Sequence, residues 1–522
     1  MRRLDSVWHV AREYAGIAEA GGVKDVVRGL AEALARTGAP TTVVLPLYGF
    51  LPRELAMGDE VASFSLSLPD HDKGNAMFSE PVRVMTAARG GVRLFFVESP
   101  RFSVTRGVYT YTAEDEAENL WQKSGTGHWD FHQLNVILQR AALETALIRG
   151  EAPTVMHCHD GHTAFLPAIM RVDSRYRSFF QRTTPVLTIH NAGQGYHQEV
   201  WDRGFARTLT GLDDAVLEKG MLSDTIDPLL LAGSYATLAT VSQQYARELL
   251  SERDREMSGG LGRAYRERGI AVEGITNGVD PAPWDPRFPE RTGLPSRFDP
   301  LSGDLLGKGR CRESLMSRMG MRHPSGEPPL PLYAFVGRLT GQKGTDVLFG
   351  ALRQLFRGER CPLFVILGQG EREQEDMFRR LASDASTAGR ISFSPRYDPA
   401  LAKLMYAASD FFLIPSAYEP CGLTDFIAQL LGSIPLVHRV GGLVKVRDGQ
   451  TGFSYDEQSP AALAAAITRT FQLYRDAPDL LDRIRRRAFA EIYDGHTWDK
   501  VLAEGYLPLY ARAVSGGSWT RS

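Results

Sequence analysis

Histidine and aspartate crowd into HCHDGHTAF at 157–165, where His157, His159, Asp160 and His162 follow a β-branched, apolar stretch. Three imidazoles and a carboxylate invite a metal, since these are its usual ligands. Positions 157 and 159 share one face of a strand, whereas 162 falls on the helix that follows, and no further acidic or histidine cluster accompanies them. A substrate-binding or structural role is the stronger reading, and no metal is expected. TIHNAGQGYH at 188–197 is another strand ending in polar residues and glycines, which a satisfied core histidine followed by a turn would also explain. Nearer the N-terminus, EAGGVKDV at 19–26 sets Gly21 and Gly22 at the start of a helix. Backbone N–H groups there can approach a phosphate, although a simple tight turn is as common.

The second half adds cations and a further carboxylate. VGRLTGQKGTDVL at 336–348 places Arg338 and Lys343 on a loop leaving a strand. Fixed positive charge is what a nucleoside diphosphate requires as its bond to a sugar breaks, and a solvated basic loop is the alternative. LGQGERE at 367–373 is a Gly-rich turn whose Glu371 and Glu373 suit a helix start. IPSAYEPCGLTDF at 414–426 holds Glu419, Pro420, Cys421 and Gly422 between a buried strand and a helix. A carboxylate there can accept from sugar hydroxyls, and the helix start offers free amides. No histidine lies near Cys421 in sequence, so a packed thiol is expected rather than a nucleophile. HRVGGLVKVRDGQTGF at 438–453 brings another glycine pair, Gly441 and Gly442, toward the same sheet end.

Elements that would hold these residues are visible as short apolar runs alternating with amphipathic segments, the pattern of a parallel sheet covered by helices on both faces. Strands are expected at 41–48, 93–99, 154–159, 185–191 and 238–242, with helices at 22–37, 134–149 and 161–172. A Pro-, Gly- and Arg-rich stretch from Asn277 to about Pro331 reads as an interdomain connection. A second series of strands follows at 332–338, 362–370, 390–395, 411–416 and 434–439, and a last helix at about 498–514. The fold class is therefore α/β, with two doubly wound, Rossmann-like domains in series. Ligands in such sheets bind beyond the carboxyl ends of the strands, where the unusual residues cluster. At 522 residues, two domains are the natural expectation. With 60 Lys+Arg against 62 Asp+Glu, neither nucleic acid nor an anionic membrane is indicated as a partner. Apolar runs are too short to span a bilayer, the basic N-terminus lacks a signal-peptide core, and Cys158, Cys311, Cys361 and Cys421 form no disulfide or zinc spacing. A cytoplasmic chain with reduced thiols is expected.

In order along the chain, GGVKDV, HDGHTA, TIHN, TVSQQYARE, ITNGVD with a following WDP, VGRLTGQKGTDVL, YEPCGL, VGGL and DGQTGF resemble the signature blocks of glycogen and starch synthases. The series spans nearly the whole chain. That resemblance implies the two-domain GT-B fold, with the domains facing a central cleft and bounded at 1–280, 281–495 and a C-terminal helix, 496–522, that could cross back to the first. It implies a hexosyltransferase that moves glucose from ADP-glucose to the non-reducing end of an α-1,4-glucan such as glycogen, with retention and with no cofactor or metal. By motif, Arg338 and Lys343 would bind the diphosphate, Glu419 would contact the donor glucose, and His162 would sit by the transferred sugar. Cys421, Gly422 and Leu423 would line the donor pocket, joined by Gly21, Gly22, Asp25, His190, Asn191, Gly441 and Gly442.

This chain departs from the family pattern at three places. Glu19 stands where the family has the lysine of its Lys-Thr-Gly-Gly-Leu loop, with Lys24 nearby. Gly161 replaces the tryptophan of the HDWH block, and the stretch after the HN pair reads HNAGQGY. Segment 110–133, with Trp121 and Trp129, is unlike the compact equivalent expected. Two rival readings remain at this level: a retaining GT-B transferase using UDP-glucose or a small acceptor, and a glucan-binding homologue that has lost catalysis. Relatives of the first kind more often carry a second glutamate eight residues after the first, where this chain has Ile427.

Overall fold

A computed structural model describes residues 4–56, 58–70, 73–251, 257–322, 329–358 and 361–516. They form two compact units, one running to Gly278 and resumed from Trp498, the other Val279–Thr497.

The first unit is built on a nine-stranded sheet. Its strands are β1 (Val7–Val10), β2 (Thr41–Pro46), β3 (Glu60–Asp70), β4 (Ala76–Arg89), β5 (Val92–Glu98), β6 (Val155–His159) and β7 (Thr184–Ile189). A separate two-stranded ribbon, β8 (Met221–Leu222) with β9 (Thr225–Ile226), precedes β10 (Thr237–Thr240) and β11 (Val272–Gly274). The order is β11-β10-β7-β6-β1-β2-β5-β4-β3. All pairs are parallel up to β5, after which β4 and β3 add an antiparallel edge. Both faces of β1 and β6 are buried, which is why those strands read as unbroken apolar and histidine runs.

The second unit has a six-stranded, wholly parallel sheet of β12 (Leu332–Val336), β13 (Leu363–Leu367), β14 (Ile391–Ser394), β15 (Phe411–Ile414), β16 (Ile434–His438) and β17 (Phe453–Tyr455). Its order, β14-β13-β12-β15-β16-β17, is the 3-2-1-4-5-6 winding of dinucleotide-binding sheets. Alternate residues enter separate cores. Leu332 and Ala334 pack with Leu315 and Met405 on one face, while Tyr333 and Phe335 pack with Leu348 and Ile467 on the other.

The stretch expected to be an interdomain connection is instead part of this unit. Helix Leu306–Arg318 lies within it, and Leu294, Phe298, Cys311 and Leu315 are buried against the strands. Proline and glycine masked that role because the apolar residues are spaced irregularly between short turns.

From Trp498 the chain rejoins the first unit as helix Trp498–Val501, a π-helical turn Leu502–Tyr506 and helix Leu507–Ser515. Pro508 cannot donate to the turn before it, which accounts for the widened turn in place of a continuous helix. Residues 517–522 of the expected C-terminal segment lie outside the described residues. Trp498, Leu502, Tyr506 and Tyr510 pack against Val7, Val26, Leu30 and Val155. Trp498→Ala removes one of the largest of these side chains and is expected to lower the stability of the first unit by about 3–5 kcal/mol. Thermal unfolding followed by a probe confined to that unit checks this, and an unshifted midpoint would contradict the packing role.

Candidate active site

In the first unit the strand order reverses between β1 and β6, so the loops after these two strands diverge and leave a crevice at their carboxyl ends. Glu13, on the loop after β1, is buried and organises the glycine turn. Its carboxylate accepts from the amides of Ala20 (2.9 Å) and Gly21 (2.6 Å) and from the Tyr109 hydroxyl (2.8 Å). The Gly21 amide expected to face a phosphate is thus already engaged, and burial raises the Glu13 pKa against these stabilising donors. Gly22 is the residue from which helix Val23–Arg36 starts, without a side-chain cap. Glu19 folds back onto its own loop, accepting from the Gly16 amide at 2.6 Å, and Lys24 pairs with Asp25 at 3.0 Å. Lys24 therefore has a carboxylate partner of its own beside the glycine turn.

His162 stacks on Tyr109 with ring centroids 4.5 Å apart. Beneath it, the Arg12 guanidinium is buried in a cage of neutral acceptors, Tyr48 Oη (2.8 Å), Asn135 Oδ1 (2.7 Å) and the Val108 carbonyl (2.6 Å). Burial, with help from the Arg12 charge, holds His162 neutral.

His9, His157, His159 and His190 form a buried row across neighbouring strands. His9 Nδ1 contacts His159 Nε2 at 3.1 Å, and His159 Nδ1 contacts His190 Nε2 at 3.0 Å. His157 is held between the Tyr510 hydroxyl (2.7 Å) and Thr188 Oγ1 (2.8 Å). His9, His157 and His159 each offer a ligand nitrogen, all within 4.8 Å of one another. His162, counted with them on sequence grounds, stands apart on Tyr109. His9 was missed because it lies about 150 residues away in sequence and meets His157 only through the β1–β6 register.

Asp160 adopts φ 60° and ψ −179°, a conformation that non-glycine residues avoid at a cost on the order of 1–3 kcal/mol. The surroundings enforce it. Its amide donates to the Thr188 carbonyl (2.9 Å), and its Oδ1 accepts from the amides of His190 (2.6 Å) and Asn191 (3.3 Å). His190 and Asn191 are thereby fixed from behind by their backbone. Gly161, next in the chain, has no room for a side chain, since a Cβ would lie 2.5 Å from the His197 carbonyl oxygen and 2.8 Å from that of Tyr196.

The second unit reverses strand order between β12 and β15. The loop after β12 carries Lys343 and that after β15 carries Glu419, and the two side chains meet at 2.6 Å. Ser416 Oγ donates to the same carboxylate oxygen at 2.9 Å. Arg338 stands exposed on the loop after β12 and makes no ion pair among the described residues. The turn at Gly441 and Gly442 is attached to the Glu419 loop by the Gly442 amide, which donates to the Glu419 carbonyl at 2.9 Å. Cys421 is buried, as are all four cysteines, and none is disulfide-bonded.

Residues 6–267 match the family described as the starch synthase catalytic domain, and residues 322–489 match glycosyl transferases group 1. A glycogen synthase from Syntrophotalea carbinolica is 30% identical, covering 97% of this chain and 98% of the relative. The chain belongs to the glycogen/starch synthase family. A glycogen synthase from an Anaeromyxobacter species is 32% identical over 96% of this chain and 98% of its own length. The catalytic domain of Arabidopsis thaliana starch synthase IV, bound to ADP and acarbose, is 27% identical with a TM-score of 0.78, covering 98% of this chain and 99% of that one. A sucrose-phosphate synthase from Thermosynechococcus elongatus, 16% identical with a TM-score of 0.56 and covering 99% of this chain and all of that one, shares the fold alone. The GT-B assignment and its two Rossmann-like domains stand on these likenesses. Among the described residues no helix is long and apolar enough to cross a membrane.

Burial makes this site sensitive to acid. His9 and His190 are lowered by desolvation to about 3, far below the 6.5 of an exposed imidazole, and His157, His159 and His162 are lowered further. Below pH 6.5 the unfolded chain binds protons that the folded chain refuses, so stability is lost as pH falls, by about 1.4 kcal/mol per unit for each such group. Asp160, raised by desolvation to about 7, opposes this, because the folded chain takes up its proton first. His197, raised to about 9 through Asp227, is protonated in both states below pH 6.5 and loses its contribution only as pH rises through 9. The imidazoles outnumber the carboxyl group, so the first unit's melting midpoint is expected to fall steadily from pH 6.5 to 5. His9→Asn should flatten that slope in a pH series of thermal melts, and an unchanged slope would rule out the imidazole row as its source.

Proposed function

We propose that this glycogen/starch synthase uses ADP-glucose as donor and extends the non-reducing end of an α-1,4-glucan with retention, its donor diphosphate held by Arg338 and Lys343. The observation that carries this reading is the 2.6 Å contact between Lys343 and Glu419 at the switch point of the second sheet. It brings the motif cation and the motif carboxylate into one place, at the end of the sheet where nucleotides bind in this winding. On donor binding Lys343 exchanges Glu419 for phosphate oxygens, and Glu419 becomes available to a glucose hydroxyl. Ser416 keeps the carboxylate oriented during the exchange.

In the reaction, the bond between glucose C1 and the β-phosphate oxygen breaks as a bond from C1 to the acceptor 4-hydroxyl oxygen forms on the same face. The hydroxyl proton passes to the departing phosphate, and the cations stabilise the charge that remains. His162, kept neutral against Tyr109, serves as a hydrogen-bonding partner to the transferred sugar rather than as a charge. No metal is assigned a part. ADP and acarbose are ligands of the Arabidopsis relative, and adenine as the base is carried over to this chain from that likeness and from the family's motifs.

Lys343→Ala is expected to reduce glucose transfer to glycogen by about 100-fold or more, with Arg338→Ala acting in the same direction. A folded Lys343→Ala protein of near-normal rate would remove Lys343 from the mechanism. Incubation with labelled ADP-glucose or UDP-glucose and glycogen tests the donor: a higher kcat/KM for ADP-glucose, undiminished by exhaustive chelation, is expected. Preference for UDP-glucose would overturn the base assignment, and a loss rescued by zinc or manganese would return the histidine row to consideration as a metal centre.

A further inference from the structure

Lys445 closes the short helical turn Gly441–Lys445, and its side chain is almost wholly buried. Its ammonium donates to the carbonyls of Cys421 (2.6 Å), Gly422 (2.8 Å) and Gly442 (3.2 Å). The Asp425 carboxylate lies 3.1 Å away, and the ammonium sits 4.5 Å from the Phe426 ring centroid. An ammonium has three N–H donors, and here three carbonyls take them. All three belong to the turns around 419–423 and 441–442, so one charge ties these two turns together from behind.

The consequence lies in the peptide planes. In a trans peptide the C=O and N–H point in opposite directions. With the Cys421 and Gly422 carbonyls drawn toward Lys445, the amides of Gly422 and Leu423 face the other way. Backbone angles agree. Gly422 has φ +74° and Leu423 has φ −105°, ψ −21°, a change of hand that turns successive N–H groups to one side as a concave pair able to hold an anionic or hydroxyl oxygen. Only glycine adopts the first of these angles freely.

We propose that Lys445 is a positioning residue of the donor site, holding the amides of Gly422 and Leu423 as a fixed pair of hydrogen-bond donors for the nucleotide-sugar. This rests on the reading of the 419–423 turn as donor pocket. Lys445 does not touch the substrate, because its donors are spent on protein carbonyls. Asp425 balances its charge inside the protein, so the device adds no net cation to the pocket.

The simplest variant, Lys445→Met, also strands Asp425 as an unpaired buried carboxylate and is expected to lower the melting midpoint. Two variants separate positioning from charge balance. Lys445→Met with Asp425→Asn removes both charges. Lys445→Arg keeps the charge but replaces a compact ammonium with a planar fork that cannot reach the same three carbonyls. In both, donor KM is expected to rise by about tenfold or more, the scale of one charge-assisted hydrogen bond, with kcat less affected and the KM for glycogen unchanged. ADP affinity by titration calorimetry should fall with it. Wild-type donor KM and ADP affinity in either variant at wild-type stability would overturn the proposal, as would an equal rise in the KM for glycogen. Calorimetry with ADP does not require turnover. A wild-type protein that binds ADP but transfers no glucose would therefore refute the proposed reaction while leaving the effect of Lys445 measurable.

Discussion

Both sheets are governed by the same topological constraint. A strand at the start of the series, β1 or β12, lies between the second strand and the fourth parallel one, β6 or β15. In the second unit the helix after β12 joins the core face that holds Tyr333 and Phe335, while the helix after β15 contributes Ala428 to the opposite face. The connections must part at that point, and no helix can fill the gap. Polar side chains placed there escape burial between sheet and helix, which is why Lys343 and Glu419 retain partial solvent access when the strands beside them have none.

The same constraint sets the electrostatics. Charges at the crevice floor are bound to protein partners: Glu13 to amides, Arg12 to neutral oxygens, Lys445 to carbonyls and Asp425, Lys343 to Glu419. Unpaired charge at such depth would be costly. The pairs differ in what a ligand can do to them. Lys445 is almost fully enclosed and Asp425 wholly so, which suits a permanent clamp, whereas Lys343 is about a quarter exposed and can change partners. Depth thus divides the cations into one that shapes the pocket and one that can meet a phosphate.

Much of the fold is legible in the sequence because parallel strands buried on both faces leave unbroken apolar runs. The observed strands at 41–46, 155–159, 332–336 and 411–414 fall within those expected. The antiparallel edge, Glu60–Asp70 with Ala76–Arg89, is not, because one partly exposed face breaks its apolar run into alternation. The site divides the same way. Lys343 and Glu419 are readable as motif residues, but their 2.6 Å pairing is a product of strand order. Glu13 and Lys445 act on backbone atoms, and a side chain that bonds to main chain leaves no complementary residue type to find. Arg12 is hidden for the related reason that its acceptors are a carbonyl, an amide and a phenol rather than a carboxylate.

Two of the chain's departures from its family are one structural change. The resemblance places a tryptophan at 161, but the carbonyls of Tyr196 and His197 lie where even its Cβ would stand. Those carbonyls are not free to move, because the His197 ring is held between Asp227 Oδ2 at 2.7 Å and the Ala192 carbonyl at 2.8 Å. Asp227 in turn accepts from the amides of Leu229 and Leu230 at the start of the next helix. The HNAGQGY stretch therefore rests where the ring of a larger residue would begin, braced by a buried ion pair in which His197 remains protonated up to about pH 9. Glycine at 161 and the rebuilt loop each presuppose the other. Restoring the tryptophan alone would drive its Cβ into a clamped backbone, so this wall of the crevice belongs to the sequence as a unit rather than to either residue.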